Sequence, residues 1–145
     1  MKKREFLKDV DTKAFKVMLG FEQYLSESSL NRIHAELIKI RVSQINGCTY
    51  CMDKHIRDAL AYGEDPRRIF VLSHWRDTPF FSEEEQAILA LTEQITRISV
   101  HGVTDEVYNR ALLLLGQQYL TEVIMGVIAM NAWNRIGITT GREPQ

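Results

Sequence analysis

The chain has 145 residues, 45% of them hydrophobic, with 18 lysines and arginines against 19 aspartates and glutamates. That length predicts a single domain over residues 1–145, able to bury a real core without disulfide or metal staples. The near-neutral balance offers no basic excess of the kind that nucleic acid or anionic lipid demands, so the expected partner is a small molecule or another protein.

Met1-Lys2-Lys3-Arg4-Glu5 is basic, but polar residues follow where a secretory signal needs an apolar run, and a cytoplasmic protein is expected. Asp11 caps the first predicted helix, which runs to about Leu25 with Ala14, Phe15, Met18, Leu19 and Phe21 carrying its apolar surface. Ser28 or Ser29 precedes the second, whose stripe is Leu30, Ile33, Leu37, Ile40 and Gln44 and whose left-handed stop is Asn46-Gly47. A third runs from about Cys48 to Tyr62, and Asp65-Pro66 opens a short one through Trp75. After a loop at Thr78-Pro79, Ser82 and Glu85 match a capping box ahead of Ala87, Ile88, Leu91, Ile95 and Ile98. Thr104 to Glu106 caps the next helix, to about Leu115, and the last runs from about Gln118 to Arg135, with Gly137 beyond its end.

No segment alternates long enough to argue for a strand, so the fold class is all-α, with about six to seven helices. Ala111 to Trp133 is about as long as a membrane span, but Gly116, Gln117, Gln118 and Glu122 interrupt it. Two buried helices joined at Gly116 are expected instead, and no membrane partner. The last helix is apolar on nearly every face. Either the others wrap it, or part of it faces another copy of the chain, and a homo-oligomer is the expectation.

The chemistry concentrates in Cys48-Thr49-Tyr50-Cys51-Met52-Asp53-Lys54-His55, which holds both cysteines of the chain. On a helix turning ~100° per residue, Cys48, Cys51 and His55 fall within an arc of about 60°. A redox or metal site is the first reading, and a pair of small packing residues is the bland one. A cytoplasmic cysteine pair is more often catalytic or metal-binding than a permanent bridge. Gly47 breaks the preceding helix, so unpaired amides and the positive dipole end meet the cysteines and favour a thiolate. A free thiol of pKa ~8.5 is only about 3% ionised at neutral pH, and lowering it by two units takes ~2.7 kcal/mol. His55 can contribute as imidazolium or act as a base. Glu36 lies at the edge of the second helix's apolar stripe, where a half-buried carboxylate needs a partner. The turn at Asn46-Gly47 folds that helix back on the next, so Glu36 can orient His55, and His55 can deprotonate Cys51.

At these residues the chain resembles the alkyl hydroperoxidase D-like (AhpD-like) family, within the broader carboxymuconolactone decarboxylase-like superfamily. The match is Glu36, an eleven-residue gap, then Cys48-x-x-Cys51-x-x-x-His55, with family-like text at Ala35 to Ile38, Val42 to Cys48 and Asn131 to Arg135. It covers the chain from about residue 15 to 140. The resemblance implies an all-helical subunit assembled as a trimer or hexamer, and a thiol peroxidase that uses no metal, haem or flavin cofactor. It further implies that the Cys51 thiolate attacks a peroxide substrate and that Cys48 resolves the sulfenic acid as a Cys48–Cys51 disulfide. A dithiol reductant then restores the pair, and in better-known members it is a lipoyl-bearing protein. Those members are longer and carry His where this chain has Tyr50, just before the second cysteine.

Three other readings stand beside this one. Cys48, Cys51, His55 and Glu36 are acceptable zinc ligands, although structural zinc usually draws a second ligand pair from elsewhere. A decarboxylase or related lactone enzyme on the same fold would not need the cysteine pair. A non-catalytic module could merely register oxidation. His34, His74 and His101 read as solvated or capping residues, and Tyr50 as a wall of the site. Trp75, Phe80 and Phe81 read as core or pocket lining, Trp133 as packing, and Asn131 and Asn134 as partners of buried helix ends or of an oligomer seam.

Overall fold

Short polar side chains fix the starts of five helices among the described residues of this structure, a computed structural model that describes residues 3–145. Met1 and Lys2, the head of the basic run, lie outside the described residues. A single turn, α1 (Leu7–Val10), precedes α2 (Thr12–Glu27), whose N-cap Asp11 accepts from the backbone N–H groups of Lys13 and Ala14. The next helix, α3 (Arg32–Asn46), starts later than expected. Asn31 caps it, not Ser28 or Ser29. The serines are engaged elsewhere: Ser28 donates to the Leu25 carbonyl at the end of α2, and Ser29 donates to Glu122 at 2.6 Å.

Gly47 ends α3 at φ 74°, a left-handed conformation that a side chain would strain, and α4 (Thr49–Ala61) begins directly after it with Cys48 at the N-cap. The expected single helix through Trp75 is split into α5 (Pro66–Phe70), capped by Asp65, and a 3-10 turn over Leu72–Asp77. The capping box of Ser82 and Glu85 opens α6 (Glu83–Thr96) as expected. Ile98 falls outside that stripe, in the short α7 (Ile98–His101), where it is exposed. Thr104 caps α8 (Asp105–Leu115), and Gly116 at φ 76° separates it from α9 (Gln117–Thr139). Among the described residues there is no strand, and no helix is long and apolar enough to cross a membrane.

Two features place the site. The first is α9, which packs against α2, α3, α4, α6 and α8 as the wrapped central helix, with Leu120, Val123 and Val127 fully buried and Ile128 and Ile138 at the surface. It runs past its expected end, so that Gly137 lies inside it and is buried. A helix-interior glycine is unfavourable by only ~1 kcal/mol, which close packing there offsets. The second is an amide lock at the end of α3. Asn134 of α9, fully buried, donates to Ser43 Oγ at 3.1 Å and accepts from Asn46 Nδ2 at 3.0 Å, holding the turn that leads into the cysteines.

The larger apolar cluster includes Ile38, Val42, Ile88, Leu91, Val123 and both cysteines, and a second gathers Leu37, Leu72, Trp75, Phe81 and Leu89 beneath the 3-10 turn. Trp75 and Phe81 are therefore core residues. A buried polar knot crosses that region: Glu93 accepts from Trp75 Nε1 at 2.6 Å, Arg76 Nη1 at 2.9 Å and Arg41 Nε at 3.2 Å. His34 is not a solvated residue. Its Nδ1 lies 2.7 Å from the Tyr119 hydroxyl, and burial holds its pKa below the usual histidine value against the pull of Glu85.

Candidate active site

The Gly47 turn sets α4 back against α3 and puts Cys48 at the helix start. Cys48 and Cys51 are joined as a disulfide, with Cα atoms 5.3 Å apart, and both are buried. One turn further along α4, His55 Nδ1 lies 2.9 Å from Oε2 of the buried Glu36 on α3. A ring nitrogen facing a carboxylate at that distance carries the proton, which in the neutral imidazole leaves Nε2 as the acceptor. The other oxygen of Glu36 accepts from Lys39 Nζ at 3.2 Å.

A second carboxylate shares the same imidazole. Asp58 Oδ2 is 3.7 Å from His55 Nδ1 and accepts from Lys54 Nζ at 2.7 Å. Burial opposes the charge on both partners, but their hydrogen bond and mutual attraction outweigh it, so the Lys54 pKa is raised and that of Asp58 is lowered. Two ion pairs therefore flank His55, one on each carboxylate, and the Asp58 side opens toward solvent.

A cavity of about 690 Å³ adjoins this group. Cys51, His55 and Glu36 line it together with Tyr50, Met130, Trp133 and Gly137, whereas Cys48 lies behind Cys51 and does not. The structure thus brings all four sequence-derived site residues together, three on the cavity wall and the fourth, Cys48, bonded to Cys51. Tyr50 forms part of that wall as expected. Trp133 does more than pack: it lines the cavity and donates from Nε1 to Glu22 at 2.8 Å.

Two residues beside the relay and the disulfide are not legible as site residues in the sequence. Asp58 follows His55 at helical spacing, a legible signal, but a charged residue on an amphipathic helix reads as solvated. Gly137 was expected beyond the end of its helix, and no local signal shows what it faces. A Cβ there would lie 3.2 Å from Cys48 Sγ and 3.5 Å from Cys51 Sγ. Gly137→Ala is therefore expected to lower stability by about 1–3 kcal/mol through overpacking against the oxidised pair. Urea denaturation of the disulfide form reads this, and an unchanged midpoint would show that α9 moves aside freely.

The four-residue zinc set is not assembled in this form, because sulfurs in a disulfide are not thiolate ligands. The nearest alternative donor group is Glu36, His55 and Asp58, with ligand atoms within 4.8 Å of one another. Lys39 and Lys54 already occupy both carboxylates, so a cation there would have to displace two ammonium groups.

Residues 12–94 match the model of the carboxymuconolactone decarboxylase family. The chain belongs to that family. Over 143 residues it is 40% identical to the uncharacterized protein YdfG of Bacillus subtilis (strain 168), covering 99% of this chain and 97% of that one. The fold is AhpD-like. A crystal structure from Agrobacterium tumefaciens, of a protein of unknown function regarded as a candidate AhpD antioxidant-defence protein, matches with a TM-score of 0.95 and 28% identity over 99% of both chains. An uncharacterized peroxidase-related protein from Silicibacter sp. TM1040 shares the fold, with a TM-score of 0.81 and 20% identity over 93% of this chain and 72% of that one. In this carboxymuconolactone decarboxylase-family domain, the segment that matches the family model holds Glu36, the Cys-x-x-Cys pair, His55 and Asp58 and ends within α6. Gly137 and the rest of α9 are contributed by the chain beyond it.

Proposed function

We propose that this protein is a thiol-dependent alkyl hydroperoxidase or disulfide oxidoreductase in which Cys48 and Cys51 are the redox pair and His55 with Glu36 is the proton relay. The observation that carries the reading is the common cavity: Cys51, bonded to Cys48, lines the same space as an imidazole whose Nδ1 is held by a buried carboxylate.

In the reduced enzyme, His55 Nε2 takes the Cys51 thiol proton, while Glu36 stabilises the imidazolium through Nδ1–H. The thiolate attacks the terminal oxygen of the hydroperoxide. An S–O bond forms as the O–O bond breaks, and the leaving alkoxide takes the proton back from His55 to depart as alcohol. The Cys48 thiol then displaces hydroxide from the sulfenic acid as water, closing the disulfide, and an external dithiol reopens it by exchange. Asp58 and Lys54 lie on the solvent side of the relay, where protons can be exchanged with water.

The same reading takes a dithiol, such as one on a lipoyl-bearing protein, as reductant, and a cytoplasmic homo-oligomer, trimer or hexamer, as the working form. Val17, Val100 and Leu113 are largely exposed apolar side chains, which supports assembly. Peroxide consumption driven by dihydrolipoamide or by thioredoxin tests the chemistry. Wild type is expected to turn over repeatedly with at least one of them. His55→Ala is expected to slow the oxidation step by roughly 10²–10⁴-fold, with a smaller loss in Glu36→Ala. Oxidation of the pair once, without turnover under either donor, would instead leave a redox-sensing module.

A further inference from the structure

Four lysine or arginine side chains and four carboxylates line the cavity, but they are not all paired with one another. Lys39 is paired with Glu36 at 3.2 Å and Lys54 with Asp58 at 2.7 Å. Lys8 and Asp9 stand exposed at the rim. Arg142 also lines the cavity, and among the described residues no carboxylate lies within 4.0 Å of its guanidinium. Its neighbours are aromatic faces instead: the guanidinium carbon is 4.3 Å from the Phe6 ring centroid and 4.9 Å from that of Tyr50. Contact with two rings restricts the guanidinium, and none of its N–H groups donates to a protein acceptor among the described residues, so they are free to receive a carboxylate through two parallel hydrogen bonds.

The position of this cation is tied to the redox pair. The Arg142 backbone N–H donates to the Gly137 carbonyl at 2.9 Å, Gly137 faces both sulfurs, and Tyr50 is the residue before Cys51. Away from Arg142 the wall is aromatic, from Phe6 to Phe15 (centroids 6.1 Å apart) and on to Trp133 (5.9 Å). The other cavity carboxylate outside the ion pairs, Glu22, is held by the Trp133 indole at the opposite end of that row. An anion is therefore favoured at the Tyr50 end, while an apolar body is favoured along the rings. A space of about 690 Å³ is also far larger than hydrogen peroxide needs.

We propose that Arg142 is a specificity residue that pairs with the carboxylate of an amphipathic organic hydroperoxide, whose apolar body lies along Phe15, Met130 and Trp133. This rests on the peroxidase reading above, and the experiment separates the two. Linoleic acid hydroperoxide and its methyl ester are compared by kcat/KM, with dihydrolipoamide held constant as a neutral reductant, in wild type, Arg142→Ala and Arg142→Lys. In parallel, binding of dodecanoate and of methyl dodecanoate, below their aggregation limits, is followed by tryptophan fluorescence of the oxidised protein. Wild type is expected to prefer the acid about tenfold or more, through KM, the worth of roughly 1.4 kcal/mol. Arg142→Ala is expected to erase that ratio and Arg142→Lys to retain part of it.

Equal handling of acid and ester by wild type, or an acid preference that survives in Arg142→Ala, overturns the assignment. A preference seen only when dihydrolipoate replaces dihydrolipoamide also overturns it, since the carboxylate would then belong to the reductant. Failure of wild type to consume any hydroperoxide defeats the peroxidase reading alone. Dodecanoate bound more tightly than its ester, and no longer so in Arg142→Ala, would still support the anion site.

Discussion

Cys51→Ser is expected to consume no peroxide above background, whereas Cys48→Ser consumes one equivalent per site and then stops. Cys51 lines the cavity beside His55, while Cys48 sits behind it and touches the cavity only through the shared bond. A hydroxyl at position 51 ionises far less readily than a thiol at neutral pH, so even an intact relay leaves it a poor nucleophile. The Cys48→Ser protein retains the attacking sulfur and its base but lacks the thiol that expels water, so it halts as a sulfenic acid. Stopped-flow peroxide consumption with mass analysis of the spent protein distinguishes the two, the arrested form gaining one oxygen. The reverse pattern, with Cys48→Ser inert and Cys51→Ser oxidised once, would exchange the roles of the cysteines.

The other large effect is on stability. Glu93→Ala is expected to lower unfolding free energy by about 3–5 kcal/mol, a substantial share of the roughly 5–15 kcal/mol typical of a folded domain. The loss exceeds that of one surface ion pair because Arg41 is itself buried and would keep only Gln44 Oε1 as a side-chain acceptor, while the Trp75 indole N–H would lose its partner. Burial alone would raise the Glu93 pKa, but hydrogen bonds from Trp75 and Arg76 and the charges of Arg41 and Arg76 outweigh it and hold the pKa below the usual glutamate value. The folded-state pKa is thus lower than the unfolded one. The stabilisation is fully present above the ordinary glutamate value and is lost as pH falls through the folded one. Urea midpoints at pH 7 and pH 4 should therefore lie closer together in Glu93→Gln than in wild type. A Glu93→Ala protein within 1 kcal/mol of wild type at pH 7 would show that the knot adds little.

Local signals explain why so much of the arrangement is legible in the sequence. Asp11, Ser82, Asp65 and Thr104 cap where short polar side chains should, and Gly47 stops α3 where a left-handed residue is needed. Glu36 and His55 meet because the Gly47 turn is tight enough for helical spacing to carry through it. Long-range partners were the hidden part. Ser29 looked like a cap but is claimed by Glu122, 93 residues away, and Asn31 caps α3 instead. Gly137 looked like a stop, yet the helix continues because a residue without a side chain is what lets α9 lie against both sulfurs. Asp58, Phe6 and Arg142 joined the site only once α4 and the two chain ends had been brought to one cavity.

That convergence of the ends has a practical side. Arg4 Nη1 donates to the Thr139 carbonyl at 2.9 Å, and the Arg142 guanidinium carbon lies 4.3 Å from the Phe6 ring centroid, so the two segments meet beside the same cavity. A bulky group attached around Phe6 or Arg142 would stand beside the cavity lining and compete with incoming molecules for that space, so an exposed position outside that lining is the better place for a label.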